Sequence, residues 1–191
     1  MSHTVVVYHS GYGHTRKQAE AVQKGAAGVA GASAELLEIS AEGQLPEGGW
    51  EKLEKADAIV FGSPTYMGGP SWQFKRFADA SSKPWFGSKW KDKIAAGFTN
   101  SASFSGDKLN SLVQLMVFAN QQGMVWVSLG LMPGNNSSKG SPADLNRVGS
   151  YSGAMAQSNS DQGADAMSES DLLTAEHLGR RVAEAALRWQ R

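Results

Sequence analysis

Short apolar, β-branched runs alternate along this chain with longer segments of helical period, and that alternation leaves few architectures open. Residues 4–9, 34–39, 58–62, 93–99 and 124–130 read as strands, each bounded by Gly, Pro, Ser or Asn. Between them, Ala19, Val22, Ala26 and Val29 mark one face of a helix over 15–30, with Gly31 placed to end it. A short helical turn is expected over 50–55. Helices follow over 71–81, with Phe74, Phe77 and Ala78 inward, and over 109–120, with Leu109, Leu112, Val113, Met116 and Val117. A closing helix opens at Ser168-Glu169-Ser170-Asp171 and carries Leu178, Val182, Ala186 and Trp189 on one stripe. Strands that each hand on to a helix give an α/β fold. The expectation is a five-stranded parallel sheet, order 2-1-3-4-5, with helices on both faces.

The 191 residues suit one such domain, spanning 1–191. A Gly/Ser/Asn-rich segment at 131–168 breaks the rhythm, and a segment of this length is functional, interfacial or disordered. No cysteine is present, which excludes a disulfide framework, thiolate metal ligands and a cysteine nucleophile. Eighteen basic residues balance eighteen acidic ones, so phosphate neutralisation along a nucleic acid is not expected. The same balance argues against a strongly acidic carrier that docks on basic partners. The apolar run after Met1 is too short for a signal peptide, and no stretch approaches the roughly 18 apolar residues of a membrane span. The expected location is the cytoplasm. No His/Asp/Glu cluster has metal-ligand spacing, and no Gly-x-Ser-x-Gly elbow is present.

The chemistry concentrates in the first strand-to-helix turn, Ser10-Gly11-Tyr12-Gly13-His14-Thr15. A helix N-terminus presents unpaired N–H groups and a partial positive charge. Gly11 and Gly13 let the backbone come close to an anion, while Ser10 and Thr15 add hydroxyls at the two ends. A Walker loop would need a Gly-Lys-Ser/Thr ending, and no lysine is here. A dinucleotide fingerprint would need a third glycine where Arg16 stands, although Glu38 could loosely serve as its ribose acid. Hydroxyls at both ends of a small-residue loop better suit a terminal phosphate monoester.

Ser10-Gly11-Tyr12-Gly13-His14, Phe61-Gly62-Ser63-Pro64-Thr65 and Gln122-Gly123-Met124-Val125 together resemble the flavodoxin-like NAD(P)H:quinone oxidoreductases of the tryptophan-repressor-binding-protein (WrbA) type. They also resemble the wider NAD(P)H-dependent FMN reductases. The resemblance runs from about residue 4 to 130 and includes the closing helix. It implies a flavodoxin-like sheet, FMN as cofactor, NADH or NADPH as electron donor, and a quinone or similar small molecule as acceptor.

By that resemblance Ser10, Gly11, Tyr12, Gly13, His14 and Thr15 hold the phosphate. Pro64, Thr65, Tyr66, Met67 and Gly68 line the ring, and Thr99, Asn100, Ser101, Gly106 and Asp107 meet its polar edge. Trp85, with Tyr12, would wall the place where nicotinamide or quinone stacks. Tyr66 and Gln122 depart from the family pattern, which carries arginine and histidine there. The reaction expected is ping-pong hydride transfer over one ring face, with the chemistry on the flavin and no catalytic side chain assigned. A flavodoxin-type electron carrier without nicotinamide activity is the alternative. The aromatic run around Trp85 and Trp90 would be costly exposed, so a homodimer or homotetramer is expected, with no nucleic-acid or membrane partner.

Overall fold

The computed structural model describes residues 1–189. Its frame is a parallel sheet of β1 (Ser2–His9), β2 (Ala32–Ile39), β3 (Ala58–Tyr66) and β5 (Ile94–Ser101), with a short hairpin strand β4 (Gly69–Pro70) turned back antiparallel on the end of β3. The spatial order is β2-β1-β3-β5-β6, where β6 is Val125–Trp126. The winding is therefore the expected one, but the sheet has seven strands, not five.

The extra count comes from β4 and from the fifth position. Residues 124–130 do not form one continuous strand. β6 pairs with β5 only at Ile94↔Val125 and Ala95↔Trp126. The chain then leaves the sheet and returns as β7 (Ala154–Gln157), which pairs with the later half of the same strand, from Phe98↔Ala154 to Ser101↔Gln157. Gly130, at φ +67°, turns the chain outward. A segment rich in Gly, Ser and Asn thus supplies the missing half of a strand, and a turn of 3-10 helix follows at Ala164–Ala166.

Alternating side chains on the strands feed two cores. Val5, Val7, Ile59 and Phe61 face α2 (Gly49–Lys55), α3 (Trp72–Ala80) and α5 (Lys108–Gln121). Val6, Tyr8, Val60 and Phe98 face α1 (His14–Ala27) and α6 (Glu169–Trp189). Trp90 belongs to the first core: it is fully buried and stacks with Trp50 and Phe77, so it is not part of any exposed aromatic run. On the other face α1 and α6 touch backbone to backbone. A methyl group added at Gly25 would overlap the Glu176 carbonyl, and one at Gly179 would overlap that of Val22. No described helix is long and apolar enough to cross a membrane.

Candidate functional site

Strands β1, β3, β5 and β7 deliver their chain to one end of the sheet, and a cleft of about 750 Å³ opens there. Its walls come from the loops after β1 (Tyr12, His14, Thr15), β3 (Pro64, Thr65, Tyr66, Met67), β5 (Asn100, Ser101, Ala102) and β7 (Ser158, Asn159, Ser160, Gln162). This is the carboxyl end of a parallel sheet at the switch between β1 and β3, where such folds bind ligands.

The floor is the turn into α1. Gly13 sits at φ +90°, a conformation open to glycine, and ends the loop one residue before the helix. Ser10 Oγ accepts from the amides of Gly13 and Arg16, each at 3.1 Å, and so braces the turn. The N–H groups of Gly11, Tyr12, His14 and Thr15 donate to no backbone carbonyl among the described residues. Thr15 is 2 % exposed and lines the cleft. Four free amides at the positive end of a 14-residue helix form an anion cradle. None of the side chains lining the cleft is Lys, Arg, Asp or Glu. Arg16, the nearest cation in sequence, is held by Glu38 in two 2.7 Å contacts, which also occupies the acid that a dinucleotide ribose would require.

Above the cradle the walls are flat. Tyr66 lies edge-on to Tyr12, ring centroids 6.4 Å apart, and its hydroxyl overhangs Gly11 so closely that a β-carbon there would force it to shift. Burial, and then the neighbouring Tyr12, push the Tyr66 phenol pKa up, so it stays a donor near neutrality. Met67 is fully exposed at φ +47° on the tip of the β3–β4 turn.

The opposite rim is polar and cross-braced. Asn100 Nδ2 donates to Ser158 Oγ at 2.8 Å, tying the β5 and β7 loops together. His14 Nε2 contacts the Gln162 carbonyl at 2.9 Å and ties the turn into α1 to the β7 loop. Beneath the rim, Thr65 Oγ1 pairs with Thr99 Oγ1 and Ser111 Oγ at 2.8 and 2.7 Å. His9 reaches Ser71 Oγ at 2.9 Å, and burial pushes its pKa down, so it is a neutral member of the buried frame. No group of His, Asp and Glu able to hold a metal occurs among the described residues.

Comparison with known proteins gives the family. The chain matches the family described as NADPH-dependent FMN reductase over residues 8–134. The chain belongs to that family. It is an oxidoreductase with a flavodoxin-like α/β parallel sheet. It is 50 % identical over 183 residues to a protein named flavodoxin FldP from Pseudomonas aeruginosa, covering 96 % of each chain. It is 33 % identical over 205 residues to a protein named NAD(P)H dehydrogenase (quinone) from Archaeoglobus fulgidus, covering 97 % of this chain and 98 % of the other. A crystal structure of a flavodoxin, WrbA-like protein from Agrobacterium tumefaciens superposes with a TM-score of 0.80 at 53 % identity, covering 98 % and 99 % of the two chains.

Within this FMN reductase family member, the cleft brings together Tyr12, His14, Thr15, Pro64, Thr65, Tyr66, Met67, Asn100 and Ser101, with Gly11 and Gly13 forming its floor. Other expected residues stand apart. Ser10 braces the turn from behind, and Thr99 is buried under the rim. Gly68 offers its carbonyl to Asn110 Nδ2 on the outside of the hairpin. Asp107 lines a neighbouring hollow with Phe104 and Arg147, and Gly106 packs on Ser101 behind the loop.

The structure does not bring Trp85 to the cleft within this chain. α3 carries the chain away from the ligand end of the sheet, so Trp85, in α4 (Ser82–Phe86), lines a separate groove between α3 and α5. The residues of the β7 loop were missed, because their strand lay in what reads as an unpaired insertion. The available signal was Ala154-Met155-Ala156-Gln157 followed by Ser-Asn-Ser-Asp, a strand running into a polar turn.

Proposed function

We propose that this chain binds FMN in the cleft and passes electrons from NADH or NADPH to a quinone or similar flat acceptor. The observation that carries the reading is the cradle of free amides at Gly11, Tyr12, His14 and Thr15, opening on a flat-walled cleft without charged side chains. A terminal phosphate fits such a floor, since neutral donors and the helix end supply its stabilisation. The aromatic faces of Tyr12 and Tyr66 suit a flat ring, and the Asn100–Ala102 rim supplies polar groups for its edge. FMN, when bound, supplies hydride acceptance and release, which explains the lack of an acid–base pair in the cleft. The protein's part is to hold the phosphate, orient the ring and leave one face open, so that donor and acceptor visit by turns in a ping-pong cycle.

The relative named flavodoxin favours a second reading, an electron carrier without nicotinamide activity. The balanced charge of this chain, 18 against 18, gives no strong field for docking on a partner reductase. Anaerobic mixing of the FMN-loaded protein with each nicotinamide decides between them. Loss of the oxidised flavin band within minutes is expected; if neither NADH nor NADPH causes it, the carrier reading takes its place.

A further inference from the structure

Lys108, the first residue of α5, stands where a cation is least welcome. The N-terminus of a helix carries partial positive charge, and Lys108 is fully buried. Its ammonium is not paired with a carboxylate among the described residues. Instead it donates to three oxygens of the loop after β5: Ser101 Oγ at 2.9 Å, the Ser103 carbonyl at 2.6 Å and the Phe104 carbonyl at 3.0 Å. Three donors meet three acceptors, which satisfies the head group completely.

The consequence for the loop follows from peptide geometry. All peptide bonds described are trans, so the C=O and N–H of one peptide unit point in opposite directions. Drawing the Ser103 and Phe104 carbonyls inward turns the N–H groups of Phe104 and Ser105 outward. The Ala102 carbonyl is held by Gln157 Nε2 at 2.9 Å, which fixes the Ser103 N–H likewise. None of the N–H groups from Ala102 to Ser105 finds a backbone acceptor among the described residues. Ser101 and Ala102 are also the part of this loop that lines the cleft.

We propose that Lys108 is the positioning residue of the cofactor loop: it fixes the backbone from Ser101 to Phe104, whose Ser101–Ala102 end lines the cleft, and places a buried positive charge behind it. This rests on the FMN reading. Reduction makes the bound ring more negative, so the buried ammonium favours the reduced cofactor over the oxidised one. Lys108 touches no reacting atom in this scheme; it acts through the Ser101–Ser105 backbone.

The test compares wild type, Lys108→Met and Lys108→Gln for FMN dissociation, by flavin fluorescence, and for the two-electron midpoint potential of the bound flavin. The glutamine variant keeps a donor and a similar length, so it supplies a folded neutral form should the methionine variant fail to fold. Oxidised FMN is expected to bind several-fold more weakly to both variants, and reduced FMN about tenfold more weakly still, which lowers the potential by about 30 mV. Ser101→Ala, which removes one acceptor but keeps the charge, is expected to weaken both redox forms alike and leave the potential in place. An unchanged potential in Lys108→Gln with wild-type FMN affinity overturns the inference and leaves the flavin site standing. A wild-type protein that does not bind FMN at all overturns both.

Discussion

At Thr15 a hydroxyl and an unpaired amide share a position almost closed to solvent at the cradle's edge. Losing one hydrogen bond to a charged phosphate costs about 1.5–3 kcal/mol, so Thr15→Ala is expected to weaken FMN by roughly tenfold or more and to leave riboflavin affinity unchanged. Equal losses for both ligands in a titration would place the phosphate elsewhere. Lys108 makes a second residue-scale prediction. Burial lowers its pKa to about 8, with Asp171 on α6 pulling it up and Arg147 on the excursion between β6 and β7 pushing it down. An unfolded lysine holds its proton to about 10.4, so between those values the unfolded chain binds more protons and stability rises with pH. Relative to Lys108→Met, the wild type is expected to gain about 2 kcal/mol in urea unfolding between pH 7.5 and 9.5. A gap independent of pH would show that the amine titrates normally. The turn into α1 was legible because glycine and hydroxyl spacing carries its own chemistry. Lys108 was not, since the acceptors of a buried amine are set by tertiary folding; the one available sign was a lysine opening a helix.

The elements were legible where one face had to be buried. The apolar run at 58–62 and the three-and-four spacing of Ala19, Val22 and Ala26 located β3 and α1. The fifth position was not, because an edge strand made of two pieces is completed by pairing partners that the local pattern cannot name. What holds that return strand is Arg147, whose guanidinium meets Asp171 through two contacts of 2.8 and 2.7 Å and sits 5.3 Å over the Phe104 ring. Asp171 also accepts from the Gln157 amide of β7. Both partners are buried, and breaking such a pair on one side costs about 3–5 kcal/mol. Arg147→Met is therefore expected to raise amide exchange across residues 127–157 and at Phe104 before it affects α1. On the opposite face, Gly25→Ala and Gly179→Ala are each expected to cost several kcal/mol or prevent folding, since the added methyl meets a backbone carbonyl and not a movable side chain. Wild-type melting temperatures for either variant would show that α1 and α6 stand further apart.

At the scale of the whole molecule the two broad faces are not alike. α1 and α6 close one face of the sheet around their glycine contact, whereas α3, α4 and α5 leave Trp72, Trp85, Phe86, Leu109, Val113 and Val117 exposed, and Trp85, Val113 and Val117 of these line one groove. Trp85 is 44 % exposed and Phe86 87 %, and Trp85 meets Phe86 edge-on at 5.9 Å. Large apolar side chains on a water-facing side favour covering by another protein surface, and a chain with no net charge offers no repulsion against a second copy. Self-association through the α3–α4–α5 face is therefore expected, with the ligand end of the sheet left open to small molecules. The double variant Trp85→Ser with Phe86→Ser should shift the species seen by light scattering toward the monomer at micromolar concentration. Its FMN affinity should stay at the wild-type value, because neither side chain lines the cleft. A wild type that scatters as a monomer would remove the association; a double variant that loses FMN while remaining assembled would place Trp85 at the cofactor.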